Sequence, residues 1–234
     1  MPTKPDENNL WTDIRKRLNQ KYFYDDAWEE ANQLFHSRMQ RKFFAPLELI
    51  IKRRSRSGEG FAIVTVQCAL IETFAAFRKG LIFNHNRYNQ SKFDYPGSQK
   101  KLTSFLESAS IFKNHFWVEN SKGKIVPNQP YDAADFYCNV RCGLMHEART
   151  KSNWIIKAPT LASGKTETKF IQNESGKLII LRTVLHYRLL EYLNIYKDEL
   201  RRVNGEGPIL RKNFASKLDH LFDFAPDTAF DWWR

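Results

Sequence analysis

The run "FAIVTVQCALIETFAAF", Phe61 to Phe77, is apolar on nearly every side when wound as a helix, and is interrupted by Gln67 and Glu72. A helix of that character has to be covered all round. It falls short of the roughly 20 apolar residues that cross a bilayer, so it is expected at the centre of a helical bundle, with no membrane span. Arg78 and Lys79 suit its carboxyl end and Gly80 stops it. The rest of the chain must wrap this element.

Most of the remainder is helical in pattern. "LWTDIRKRLNQ" reads as a short helix. "DDAWEEANQLFHSRMQRKFF" has an aspartate cap, acids in the first turn, and Trp28, Ala31 and Phe35 at helical spacing. Ala45-Pro46 is expected to end it, with Pro46 opening "PLELIIKRRS", and "RRSRSGEG" forms a basic loop. "SQKKLTSFLESASIFKNHF" is amphipathic, "NSKGKIVPNQP" is a break, and Pro130 with Asp132 opens the next helix. "NWIIKAP", "TKFIQ" and "KLIIL" read as short strands, the first two joined by a polar turn around Gly164. A long helix then carries Leu185, Leu189, Tyr192, Tyr196, Leu200 and Val203 on one stripe, before "LRKNFASKLDHLF" and a tail, "AFDWWR", expected to dock on the core. The expected fold is mainly α, with a small antiparallel β element inserted before the last long helix. Residues 1–59 form an N-terminal helical extension packed on a bundle of residues 60–234, one compact unit overall.

The charge directs attention to a partner. The formal net charge is +11 and the pI about 9.6, which attracts polyanions over a Debye length of about 8–10 Å. Nucleic acid is the expected ligand, ahead of an anionic membrane surface. Three cysteines, Cys68, Cys138 and Cys142, are too few for a disulfide scaffold, and the first ten residues carry no apolar leader. A cytoplasmic protein is expected.

Several motifs fail. "ASGKT" would need its first glycine where Pro159 stands, "GEGFAI" and "GEGPIL" lack a third glycine, and neither an H-E-x-x-H nor a G-x-S-x-G sequence occurs. Cys138, Cys142 and His146 share a helical face, but zinc usually takes four ligands. Small residues at a helix contact explain them better, so neither metal nor cofactor is expected.

The stretch "DFYCNVRCGLMHEART" resists such explanations. On an ideal wheel Tyr137, Val140, Leu144 and Ala148 form its core face. Asn139, Cys142, His146 and Arg149 lie opposite, with Arg141 on the boundary, about 140° from His146. Gly143 costs about 1 kcal/mol in a helix, and the flat face it makes with Cys138, Asn139 and Cys142 suits close approach of a symmetry mate. The alternative reading pairs Arg141 with Glu72 and leaves His146 on the surface.

"FYCNVRCGLMHEA" resembles the R-x(4–6)-H signature of the HEPN superfamily, helical-bundle proteins of prokaryotic defence and toxin systems. "VQCALIETFAAF" is similar to the glutamate-bearing helix that precedes it in many members. The resemblance covers roughly Phe61–Val203 in helix order; Cys142 stands where active members often have Asn, Asp or His. It implies a HEPN-like fold and a metal-independent endoribonuclease of toxin–antitoxin, abortive-infection or antiviral type, working as a homodimer. An antitoxin or regulatory partner could accompany it. Arg141 and His146 would be catalytic, with Glu72 holding Arg141, Cys142 and Asn139 in support, and Arg149 and Lys151 tracking RNA. A non-catalytic RNA- or nucleotide-binding module acting through a partner is the competing expectation.

Overall fold

A computed structural model describes residues 6–18, 26–53, 58–86, 88, 91–159 and 161–234. The fold is mainly helical with small sheets. In chain order it runs α1 (Glu7–Leu18), α2 (Asp26–Met39), a π-helical turn (Gln40–Phe44), α3 (Ala45–Arg53), α4 (Glu59–Lys79), β1 (Ile82–Phe83) and β2 (Asp94–Tyr95). It continues with α5 (Gln99–Ser108), α6 (Lys113–Phe116), β3 (Trp117–Glu119), β4 (Ile125–Pro127), α7 (Ala133–Phe136), a second π-helical turn (Tyr137–Arg141) and α8 (Cys142–Glu147). β5 (Trp154–Lys157), α9 (Leu161–Thr166), β6 (Ile171–Glu174), β7 (Lys177–Leu181), α10 (Arg182–Arg201), α11 (Gly207–Leu221) and a 3₁₀ turn (Asp231–Trp233) complete it.

The chain divides into two units. The first comprises Met1–Lys42, Ala76–Pro96 and Leu193–Arg234; the second comprises Phe43–Ala75 and Gly97–Tyr192. This division does not coincide with the boundary expected at residue 59. In the first unit Phe35 sits 4.4 Å from Phe77 and 5.5 Å from Phe214, ring centre to ring centre. In the same unit the buried carboxylate of Asp219 collects Trp11, Arg15, Trp232 and Trp233. The aromatic tail therefore docks on its own chain. The second unit is centred on Phe74, Phe105, Phe112, Phe116, Phe136, Phe170 and Tyr192, all at most 4 % exposed.

α4 buries Ile63, Val64, Cys68, Leu70, Ile71 and Phe74, but Phe61 is 42 % exposed, so the helix is not covered all round as its composition predicts. Its 21 residues do reach the length and hydropathy of a membrane span, which corrects the expectation that the run falls short. Over half of that window is covered by the protein, and Gln67 donates to the Arg182 carbonyl at 2.8 Å while Glu72 meets Arg141. That burial and those polar partners fit the core helix of a soluble protein.

Pro46 does not end a helix. Residues 26–53 run as an unbroken helix, and the π turn just before Pro46 absorbs its missing N–H and the clash of its ring with the preceding turn. Half of the basic loop expected at "RRSRSGEG", residues 54–57, lies outside the described residues, and its two ends belong to α3 and α4. The break at "NSKGKIVPNQP" is in part a β3–β4 hairpin, with Asn120 Oδ1 accepting from the backbone N–H of Lys122 and Lys124 at 3.0 Å each. The polar stretch around Gly164 is the short helix α9 instead of a turn. A Cβ at Gly164 would lie 2.5 Å from Thr183 Cγ2, so glycine is what lets the segment approach.

The β element is only partly antiparallel. The order is β5-β7-β6; β6 and β7 pair antiparallel, but β5 and β7 run parallel, Trp154 facing Leu178. Leu178 to Leu181 are at most 7 % exposed, which is the mark of a central strand. On α10 the expected stripe is buried from Leu185 to Leu200, but Val203 lies beyond the helix end and is 51 % exposed.

Two buried histidines of the second unit give a pH dependence. Burial, the dominant cause, lowers both His115 and His186 to about 4, and neither ring nitrogen of His186 has a partner among the described residues. An unfolded-chain histidine titrates near pH 6.5. Between about 6.5 and 4 the unfolded chain takes up these protons and the folded chain does not, so stability is full above that window and falls through it as acid is added. Each site is expected to contribute on the order of 2 kcal/mol to the loss. Urea midpoints at pH 7 and pH 4.5 measure it, and His186→Phe is expected to reduce the difference.

Candidate functional site

The helix from Ala133 to Glu147 begins with a built cap: Asp132 accepts from the Asp135 N–H at 2.8 Å. The π turn at Tyr137–Arg141 then inserts residues into the helical count. The core positions shift accordingly. Phe136, Val140, Gly143 and Leu144 are buried, Tyr137 is half-buried, and Ala148 is exposed in the left-handed region at φ 52°, where the helix ends. The ideal wheel had placed Tyr137 and Ala148 inward; the π turn and the cap are why they are not.

Arg141 leaves the turn toward α4 and pairs with Glu72 through two bonds, Nε to Oε1 at 2.5 Å and Nη2 to Oε2 at 3.3 Å. The two side chains are 16 % and 20 % exposed. Burial opposes the guanidinium's charge, yet the Glu72 carboxylate outweighs it and holds the arginine pKa above its ordinary value. The Tyr137 ring lies 5.5 Å from the guanidinium carbon, and its hydroxyl is 3.1 Å from Ser98 Oγ. Burial raises the Tyr137 pKa, with Cys142 adding to the shift. Burial likewise pushes the Cys68 thiol up to about 12, with Glu72 adding, so Cys68 stays a neutral core group at neutral pH. The site thus holds one fixed cation in a largely covered, polar-edged wall.

His146 is exposed on α8 and makes no hydrogen bond within the described residues. Among the described residues no hydrogen bond or ion pair joins it to Arg141, whose guanidinium is taken by Glu72. Cys142 is half-buried and Cys138 exposed. Among the described residues no three His, Cys, Asp or Glu side chains gather to hold a metal ion.

Asn139 has a local role. Its amide donates to Asp135 Oδ1 at 2.7 Å, its backbone carbonyl accepts from the Lys151 N–H at 2.8 Å, and Asp135 also accepts from the Trp154 indole at 2.7 Å. These bonds tie the returning chain back onto the helix. A Cβ on Gly143 would meet the Arg149 carbonyl oxygen at 2.5 Å. Gly143 is therefore required by its own chain's fold-back, and it faces Arg149 instead of forming part of the flat outer face expected of it with Cys138, Asn139 and Cys142.

The fold-back brings Arg149 and Lys151 beside one carboxylate. Glu147 receives Lys151 Nζ at 2.5 Å and Arg149 Nη2 at 3.2 Å. Both cations expected to track RNA are thus engaged by a residue that the sequence reading did not single out. One signal was legible: an acid in the last turn of a helix is the wrong sign for the helix dipole. The Ser98–Tyr137 pair had no sequence signal, because it joins elements 39 residues apart.

No family model matches the chain, and no curated protein or solved structure matches it.

Proposed function

We propose that this protein is a metal-independent endoribonuclease with a HEPN-like helix, cleaving RNA at a site completed by a second copy of the chain. The two-bond Glu72–Arg141 pair carries this reading. It holds a permanently charged, planar guanidinium in one orientation, which is what a phosphate clamp needs, while an imidazole five residues on stands in solvent with its ring nitrogens available. RNA brings its own nucleophile, the 2′-hydroxyl. An imidazole can remove that proton, and a protonated imidazole can donate to the leaving 5′-oxygen, leaving a 2′,3′-cyclic phosphate and a 5′-hydroxyl. One chain offers one exposed histidine on this helix, so a two-fold pair of helices would supply both base and acid. The net charge of +11 suits a polyanionic substrate. A cytoplasmic defence or toxin role follows from the same proposal.

One observation favours the second reading, a non-catalytic RNA-binding module acting through a partner. Arg141 is largely covered and already committed to Glu72, so an incoming phosphate finds little of it exposed. The deciding assay incubates purified protein with RNA in EDTA. Chelator-resistant cleavage that disappears in His146→Ala supports the nuclease; binding without cleavage by the wild type selects the module; cleavage undiminished in the variant removes His146 from the mechanism.

A further inference from the structure

Glu147 stands at the carboxyl end of its helix, where a negative charge is unfavourable against the dipole. What holds it there is the chain's own return. Ala148 turns through φ 52°, Arg149 N–H bonds to the Gly143 carbonyl at 3.3 Å, and Lys151 N–H bonds to the Asn139 carbonyl at 2.8 Å. With the backbone so pinned, the Arg149 and Lys151 side chains converge on one carboxylate from two sides, Arg149 through both Nε (3.3 Å) and Nη2 (3.2 Å) and Lys151 at 2.5 Å. The geometry resembles a phosphate gripped by two cations, with a carboxylate in its place. His146 is the adjacent residue.

We infer that Glu147 is an internal stand-in for an RNA phosphate, occupying the two cations beside His146 so that an RNA backbone must displace it to bind. This rests on the reading of the site as one that binds RNA, and assigns the chain a built-in restraint on that binding. The consequence is a threshold. A polyanion with several phosphates in register displaces the carboxylate, whereas an isolated phosphate competes with it on nearly equal terms. Arg149 and Lys151 then add to affinity only on RNA long enough to engage the rest of the basic surface.

The test measures binding of a short labelled single-stranded oligoribonucleotide across a series of salt concentrations. Glu147→Gln, which keeps the shape and removes the charge, is expected to bind at least about threefold tighter, on the scale of an exposed ion pair. Its dependence on salt is expected to steepen by about 0.7 in log–log slope for each cation newly engaged by the strand. Glu119→Gln is the control; Glu119 is an exposed carboxylate on β3 with no ion pair among the described residues, and its loss changes net charge equally. A Glu147→Gln variant indistinguishable from the wild type overturns the inference and leaves RNA binding standing, as does an equal gain in Glu119→Gln. Absence of RNA binding in all three proteins overturns the underlying reading, and this inference with it.

Discussion

Asp219→Ala is expected to destabilise the first unit by more than about 3 kcal/mol, the range seen when one partner of a buried ionic cluster is removed. The reason lies in what it leaves behind. Asp219 is fully buried, and its two oxygens accept four bonds: Trp11 at 2.9 Å and Arg15 at 2.7 Å on Oδ1, Trp232 and Trp233 at 2.8 Å each on Oδ2. Removing the carboxylate strands three indole N–H groups and a guanidinium that is itself packed 3.5 Å from the centre of the Phe230 ring. Each orphaned donor costs its full desolvation, whereas a single donor lost from a still-satisfied carboxylate costs about 1 kcal/mol. Trp232→Phe is therefore expected to be far milder than Asp219→Ala, and Asp219→Asn nearly as severe, since its amide turns a donor toward donors. Urea unfolding followed by tryptophan fluorescence reads all three. Equal losses for Trp232→Phe and Asp219→Ala would show that packing, and not the carboxylate, holds the tail.

Nothing in the sequence singled out that hub. "AFDWWR" could be read as a docking tail because aromatic residues need cover, but its acceptor lies 13 residues upstream and two of the other donors more than 200 residues away in the chain. Long-range polar convergence leaves no local pattern. Local pattern is what made the helices legible: α4 by its apolar run, α10 by its stripe, α7 by Asp132. The errors fall where the backbone leaves the α-helical count. Two π turns, at Gln40–Phe44 and Tyr137–Arg141, defeated a proline rule and a helical wheel respectively, because both assume 3.6 residues per turn. The parallel β5–β7 pairing had a visible cue. The last four residues of "KLIIL" are continuously apolar, as suits a strand buried on both faces, while Ser175 (φ 49°) and Gly176 (φ 80°) supply the tight turn that sets β6 antiparallel to it. At the candidate site the Glu72–Arg141 pair was within reach, since each residue is an ionic group on an otherwise apolar helix side; the capture of Arg149 and Lys151 by Glu147 required the fold-back over Gly143.

The Glu72–Arg141 pair allows structure and chemistry to be separated. Arg141→Ala leaves a largely covered carboxylate without its cation and is expected to cost about 2–3 kcal/mol, somewhat below the value for a fully buried pair because both side chains retain some exposure. On the proposed nuclease reading, RNA cleavage by that variant is expected to vanish, but an unfolding protein would also lose it. The joint replacement Glu72→Leu with Arg141→Leu resolves this, since removing both charges in favour of apolar groups is often neutral for stability. The doubly substituted protein is expected to melt near the wild type and still not cleave RNA. Arg141→Lys adds a second axis: lysine keeps the charge but cannot present two parallel donors, and is expected to lower the cleavage rate about 100-fold with a smaller loss of stability. Cleavage at the wild-type rate by the Glu72→Leu, Arg141→Leu protein would make the pair a core ion pair alone. The guanidinium would then have no part in the reaction, and His146 would need another cation to hold the phosphate it acts on.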